Sequence, residues 1–126
     1  MTERLAILRE QLRDAADFLS RVLQTEPSEV QRTAAIKGFE FCVELSWRTM
    51  KAALTDTGIE SISPKDTIRK AGQAVIIEDV ERWLAYIDLR NLTSHTYTEK
   101  VAAEVYASID PGLVKDIRGL LDSTDR

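Results

Sequence analysis

Residues 29–56 read EVQRTAAIKGFEFCVELSWRTMKAALTD, and this stretch decides the fold. Phe39, Val43, Trp47, Met50 and Leu54 recur at three- and four-residue steps, which draws one apolar stripe along a helix. Phe41, Leu45 and Ala52 draw a second. A helix apolar on two sides packs against more than one neighbour or enters an oligomer interface. Gly38 sits inside it at a cost of ~1 kcal/mol relative to alanine. Close approach of another backbone, or a slight bend, would offset that cost. Thr57-Gly58 is a C-terminal stop, because glycine takes the left-handed conformation in which helices commonly end.

The same periodicity extends outward. Upstream, Leu5, Leu8, Leu12, Ala15, Leu19 and Val22 mark a helix over about 3–24, with Thr2 as its cap. Thr25-Glu26-Pro27-Ser28 separates the two helices, and Ser28 with Gln31 fits a capping box. Downstream, Ser63-Pro64 opens a third helix that runs to about Ala71, with Gly72 closing it. A fourth begins near Glu78 and buries Val80, Trp83, Leu84 and Ile87. A fifth begins near Thr98 with Val101, Val105 and Ile109. Asp110-Pro111-Gly112 breaks or kinks it before Leu113, Ile117, Leu120 and Leu121. No strand-like alternation, internal repeat or low-complexity tract interrupts the pattern. The expected fold is all-α: an antiparallel four- to five-helix bundle with residues 1–126 as a single domain.

Composition agrees with helix. Of 126 residues, 44% are hydrophobic and 30% charged, with only 5 glycines and 3 prolines to break helices. The net charge of −4 argues against binding nucleic acid by a global positive field, although 17 Lys and Arg leave room for a local patch. A single cysteine, Cys42, allows no internal disulfide and suits a small core position. No apolar run is long enough for a signal peptide or a membrane span, so a cytoplasmic location is expected.

Chemistry is concentrated in Arg90-Asn91-Leu92-Thr93-Ser94-His95-Thr96-Tyr97. Ser, Thr and Asn compete with helical hydrogen bonds through their own side chains, which favours a helix break here. In an unbroken helix Arg90 and His95 would point about 140° apart. If the helix bends or stops within 92–96, both face one cleft. Arginine offers a permanently charged planar fork for phosphate, and histidine exchanges protons near neutrality. Cleaving RNA through its own 2′-hydroxyl needs a base, an acid and charge stabilisation at phosphorus. With one histidine per chain, two copies across a twofold axis would supply both proton-transfer groups.

Arg90-Asn91-Leu92-Thr93-Ser94-His95 resembles the Arg-x4-His signature of HEPN domains. With Tyr97 it resembles the HEPN toxins encoded beside a minimal nucleotidyltransferase, whose relatives are usually called nucleotidyltransferase substrate-binding proteins. Phe39-Glu40-Phe41 through Glu44-Leu45-Ser46-Trp47-Arg48 is similar to the family's helix-two block. Ser63-Pro64-Lys65-Asp66 with Ile68-Arg69 is similar to its helix-three start, and Trp83 to Arg90 to its helix four. The resemblance covers about residues 30–106. It implies a dimerising helical bundle that works as a metal-independent endoribonuclease without a cofactor, with Arg90 and His95 as catalytic residues and Asn91 and Ser94 in support. It further implies that the partner nucleotidyltransferase silences the toxin by attaching AMP to Tyr97, which adds charge and bulk where RNA phosphate would lie. The other function carried by the same resemblance is a non-catalytic subunit that binds a nucleotide or substrate for the nucleotidyltransferase.

Each residue also has a plainer role. Arg90 would pair with Asp88 or a neighbouring acid, and His95 would be satisfied by hydrogen bonds at a helix end. Asn91 and Ser94 would be local caps, and Tyr97 a half-buried packing residue. Glu40 and Glu44, an i,i+4 acidic pair, would meet Arg90 across the bundle or Arg48 on their own helix. Trp47 and Trp83 are expected in the core. Glu78, Asp79 and Glu81 are better read as acids favouring a helix N-terminus than as metal ligands.

Overall fold

A computed structural model of the chain describes residues 1–94 and 98–125. Its described elements are six helices: α1 (Glu3–Gln24), α2 (Glu29–Asp56), α3 (Pro64–Gln73), α4 (Val80–Thr93), α5 (Glu99–Ser108) and α6 (Gly112–Ser123). The all-helical bundle expected from the sequence is the observed class. The count is six rather than four or five, because Asp110-Pro111-Gly112 separates α5 and α6 completely. No described helix is long and apolar enough to cross a membrane.

The long α2 is the hub and touches every other described helix. Its two-sided apolar pattern has this cause. Phe39, Val43, Met50 and Leu54 are fully buried, in one core with Leu12 and Leu19 of α1, Ile68 of α3, Trp83 and Ile87 of α4, and Leu113, Ile117 and Leu120 of α6. The second stripe divides: Ala52 is buried, Leu45 half-buried and Phe41 exposed. α1 runs antiparallel to α2, so Thr2 meets Asp56 at one end and Phe18 covers Gly38 at the other. A Cβ at Gly38 would lie 3.1 Å from the Phe18 ring. The close approach expected at this glycine is therefore made by an aromatic side chain, not by another backbone.

Helix ends follow local chemistry. Thr2, Ser28 and Ser63 each accept a backbone N–H three residues on. The capping box at Ser28 is only half formed. The Gln31 side chain is buried and donates instead to the carbonyl of Val22 and the hydroxyl of Tyr106. α2 ends in a Schellman turn, with Ile59 N bonded to Leu54 O and Gly58 at φ 81°. α3 ends in the same turn, its left-handed residue three beyond Gly72, with Ile76 N on Ala71 O and Val75 at φ 59°. Gly72 does not close α3; its missing side chain makes room for Val80 of α4. The C-terminus of α6 is capped by Arg9 of α1, which donates to Leu121 O at 2.8 Å and to Thr124 Oγ1 at 3.0 Å. A buried cation is favourable there because the helix dipole presents its negative end.

Candidate functional site

α4 presents the candidate chemistry, and its two ends are built differently. Asp79 caps the start by accepting from the Arg82 N–H. Trp83, Tyr86 and Ile87 bury the middle, with Trp83 edge-on to Tyr86. At the far end the helix stops at Thr93, inside the window where a break was expected. Side chains turn back on the last carbonyls: Thr93 Oγ1 donates to Arg90 O at 2.6 Å and Ser94 Oγ to Asn91 O at 2.9 Å. These hydroxyls satisfy carbonyls that would otherwise be orphaned.

Arg90 lies over the α2 face that carries Glu40 and Glu44. Its Nε is 3.4 Å from Glu44 Oε1, and its Nη1 is 3.8 Å from Glu40 Oε2 and 3.4 Å from Thr93 Oγ1. The Arg90 side chain is 26% exposed, and its buried Nε has no well-directed acceptor among the described residues. Two carboxylates therefore hold the guanidinium by charge, at distances that leave its hydrogen-bonding capacity largely unused. Glu44 is the junction of this end. It also receives Arg48 at 3.7 Å and the indole N–H of Trp47 at 3.4 Å. Both pairings considered for the acidic pair are thus present at once. Asp88 is not a partner of Arg90; it pairs with Lys65 of α3 at 2.6 Å.

The start of α4 carries a tighter cluster that the sequence did not reveal. Arg82 Nε is 3.0 Å from Asp116 of α6, and its Nη2 is 3.1 Å from Asp110 and 2.9 Å from the Tyr86 hydroxyl. Tyr86 donates to the same Asp116 oxygen at 2.6 Å. Burial, then the bond to Asp116, pushes the Tyr86 phenol well above its ordinary value, and Asp116 raises Arg82 likewise. The signal was faint in sequence because the acids lie more than 25 residues away, in and beyond the Asp110-Pro111-Gly112 break.

Of the predicted site residues, Arg90, Asn91 and Ser94 are described, and Arg90 alone is drawn into a cluster with another helix. Asn91 and Ser94 are exposed, and the Ser94 hydroxyl serves its own helix end. His95 and Tyr97 lie outside the described residues. Trp83 is in the core as expected. Trp47 is only half-buried: it packs against the core rather than within it, which corrects the expectation, and it also lines a surface cleft. Cys42 is fully enclosed, and burial pushes its thiol up to about 12, so it holds its proton at neutral pH. Asp79 serves as the α4 cap, and the described residues contain no cluster of three His, Cys, Asp or Glu arranged to hold a metal ion.

The chain is 42% identical over 98 residues to a "Probable ribonuclease HepT" of Haemophilus influenzae, covering 71% of this chain and 67% of the relative. A crystal structure from Thermus thermophilus superposes with a TM-score of 0.81 at 31% identity, covering 91% of this chain and 99% of that one. A Haemophilus influenzae structure, described as the fold of a substrate binding domain of a nucleotidyltransferase, superposes with a TM-score of 0.74 at 33% identity, covering 97% and 99%. The family model "Nucleotidyltransferase substrate binding protein like" matches residues 3–125. With its all-helical bundle and its Arg90 end of α4, the chain belongs to the nucleotidyltransferase substrate binding protein like family.

Proposed function

We propose that the chain is the toxin of a toxin–antitoxin pair: a cytoplasmic, homodimeric, metal-independent endoribonuclease of the HEPN type, with residues 1–126 forming one domain. A minimal nucleotidyltransferase is its partner and silences it. The observation that carries this reading is the state of Arg90. A largely buried guanidinium, held among the described residues by contacts of 3.4–3.8 Å to Glu40, Glu44 and Thr93 where α4 stops, retains donors for a phosphate. The relative named a probable ribonuclease adds weight.

In this reading one His95 imidazole takes the proton of the 2′-hydroxyl as that oxygen attacks phosphorus. The imidazolium of the twofold-related copy gives a proton to the departing 5′-oxygen. The products are a 2′,3′-cyclic phosphate and a free 5′-hydroxyl. Arg90 binds the phosphate and offsets charge developing on its non-bridging oxygens. Asn91 and Ser94 support the site from the end of α4. Tyr97 accepts AMP from a nucleoside triphosphate with release of pyrophosphate. Its placement two residues from His95 would bring the new phosphate into the RNA site.

The test is incubation of the purified protein with RNA in excess chelator. We expect fragments ending in 2′,3′-cyclic phosphate, and their loss in His95→Ala. Cleavage that survives His95→Ala would end the catalytic assignment. A second reading, a non-catalytic subunit presenting a nucleotide or substrate to the nucleotidyltransferase, is favoured by the net charge of −4 and by the two carboxylates already facing Arg90. Copurification with the nucleotidyltransferase, with no cleavage by the free protein, would select it.

A further inference from the structure

Beside Glu44, on the stretch of α2 that faces the N-terminus of α1, lies a cleft of about 450 Å³ that the proposed chemistry does not use. Its walls include Arg4 of α1 and Trp47, Arg48, Lys51, Thr55 and Asp56 of α2. Three cations around a half-exposed indole form an unusual surface on a chain of net charge −4. The one acid in the wall is already engaged: Asp56 accepts from the backbone N–H and the hydroxyl of Thr2 at 3.3 and 3.2 Å. Lys51 also lines the cleft, and its ammonium donates to the carbonyl of Ser61. Arg4 is exposed and makes no ion pair among the described residues. Arg48 lies 5.9 Å from the centre of the Trp47 ring.

We infer that this cleft binds single-stranded RNA next to the scissile phosphate, with a base stacked on Trp47 and backbone phosphates on Arg4 and Arg48. The chemistry is that of single-strand binding in general: an aromatic face that accepts any base, set in a basic groove that follows the backbone. The cleft also has a direct connection to the proposed site. Glu44 binds Arg90 through one oxygen and both Arg48 and the Trp47 indole through the other, at 3.4, 3.7 and 3.4 Å. Positions 44 to 55 span roughly 16 Å of helix, so a strand whose cleaved phosphate lies on Arg90 reaches the cleft along α2. A local patch of this kind supplies the attraction that the overall charge withholds.

The inference rests on the ribonuclease reading, and the test separates the two. A 2′-O-methyl RNA oligonucleotide lacks the attacking hydroxyl and serves as a non-cleavable probe. We expect it to quench the fluorescence of Trp47, because Trp83 is buried; the quench should vanish in Trp47→Phe. Fluorescence anisotropy of the labelled probe should show about tenfold weaker binding in Trp47→Ala. The doubly substituted Arg4→Gln/Arg48→Gln protein, altered only at exposed side chains, should weaken binding similarly and show a shallower salt dependence. For cleavage of a long RNA both proteins should raise KM and leave kcat within about twofold. A dinucleotide too short to reach the cleft should be cut as by the wild type.

Unchanged affinity and KM in all these variants, in a protein that cleaves RNA, would overturn the cleft and leave the ribonuclease standing. Probe binding that is lost in the variants of a protein that cleaves nothing would keep the cleft and remove the ribonuclease. Failure of the wild type both to bind and to cleave would overturn both. Quenching by AMP alone at the concentrations where the oligonucleotide acts would make this a mononucleotide site and overturn the strand assignment.

Discussion

Arg82 and Arg90 stand about two turns apart on the same helix, and each meets two carboxylates. Their surroundings differ in one physical respect. Around Arg82 the contacts are 2.9–3.1 Å, and the Tyr86 hydroxyl closes the cluster with a 2.6 Å bond to Asp116. Around Arg90 they are 3.4–3.8 Å, and a buried N–H lacks a directed acceptor among the described residues. Charge neutralisation is similar at the two ends; hydrogen-bond satisfaction is not. A saturated guanidinium ties helices together, as Arg82 ties α4 to α6. An unsaturated one retains capacity for a ligand oxygen, and a phosphate can supply geometry that Glu40 and Glu44 do not. Residue type alone would have treated the two arginines alike.

The sharpest way to break this comparison is to remove each arginine and measure both RNA cleavage and folding. Arg90→Ala should lower kcat/KM by at least about a hundredfold, the size of effect seen when one donor to a developing oxyanion is lost. Arg82→Ala should leave kcat/KM within about threefold and lower the melting temperature instead. Equal catalytic losses would mean that the difference in bonding carries no functional meaning.

The Arg82 end can be tested more finely through Tyr86. Tyr86→Phe deletes the hydroxyl shared by Arg82 and Asp116 and should cost about 1–2 kcal/mol, read as a lower urea midpoint with an unchanged slope. The same hydroxyl gives a pH signature. Burial and Asp116 hold the folded-state phenol above its unfolded value, so the folded protein retains a proton that the unfolded chain releases. Stability contributed by this protonated phenol is complete below about pH 10 and declines as pH rises beyond it. Tyr86→Phe should remove that part of the alkaline decline.

How legible these two ends were in the sequence follows from the reach of the forces that build them. The bounds of α1 and α2 were readable because period, cap and stop are local, and Thr2, Ser28 and Gly58 act within a few residues. α3 runs to Gln73, past the end that the sequence suggests. A glycine at the close of an apolar pattern suggests a cap, whereas Gly72 serves tertiary packing against Val80 and the left-handed turn falls on Val75. Arg90 was singled out by residue type and spacing, and its acidic partners were visible as the i,i+4 pair Glu40 and Glu44. Their choice over Asp88 was not, because it depends on how α4 lies across α2. The Arg82 cluster left no pattern, since its members come together only when α6 folds back. Trp47 is less buried than its stripe suggests for a related reason. Periodicity identifies an apolar face, but not where the neighbouring helix ceases to cover it.

The smallest expected effect sharpens the comparison most, because it asks whether the acids at the Arg90 end hold the fold together. Glu44→Gln keeps an acceptor oxygen for the Trp47 indole and removes only the negative charge shared by Arg90 and Arg48. With contacts this long and side chains 26–54% exposed, the loss of stability should stay below about 1 kcal/mol. The uncovered cations should bind an anion better, so inorganic sulfate, titrated without RNA, should bind with an affinity higher by roughly two- to fivefold. Loss of more than about 2 kcal/mol, with no gain in sulfate affinity, would place Glu44 among the groups that hold helices together. Arg90 would then be a second Arg82, and the phosphate would need another residue to receive it.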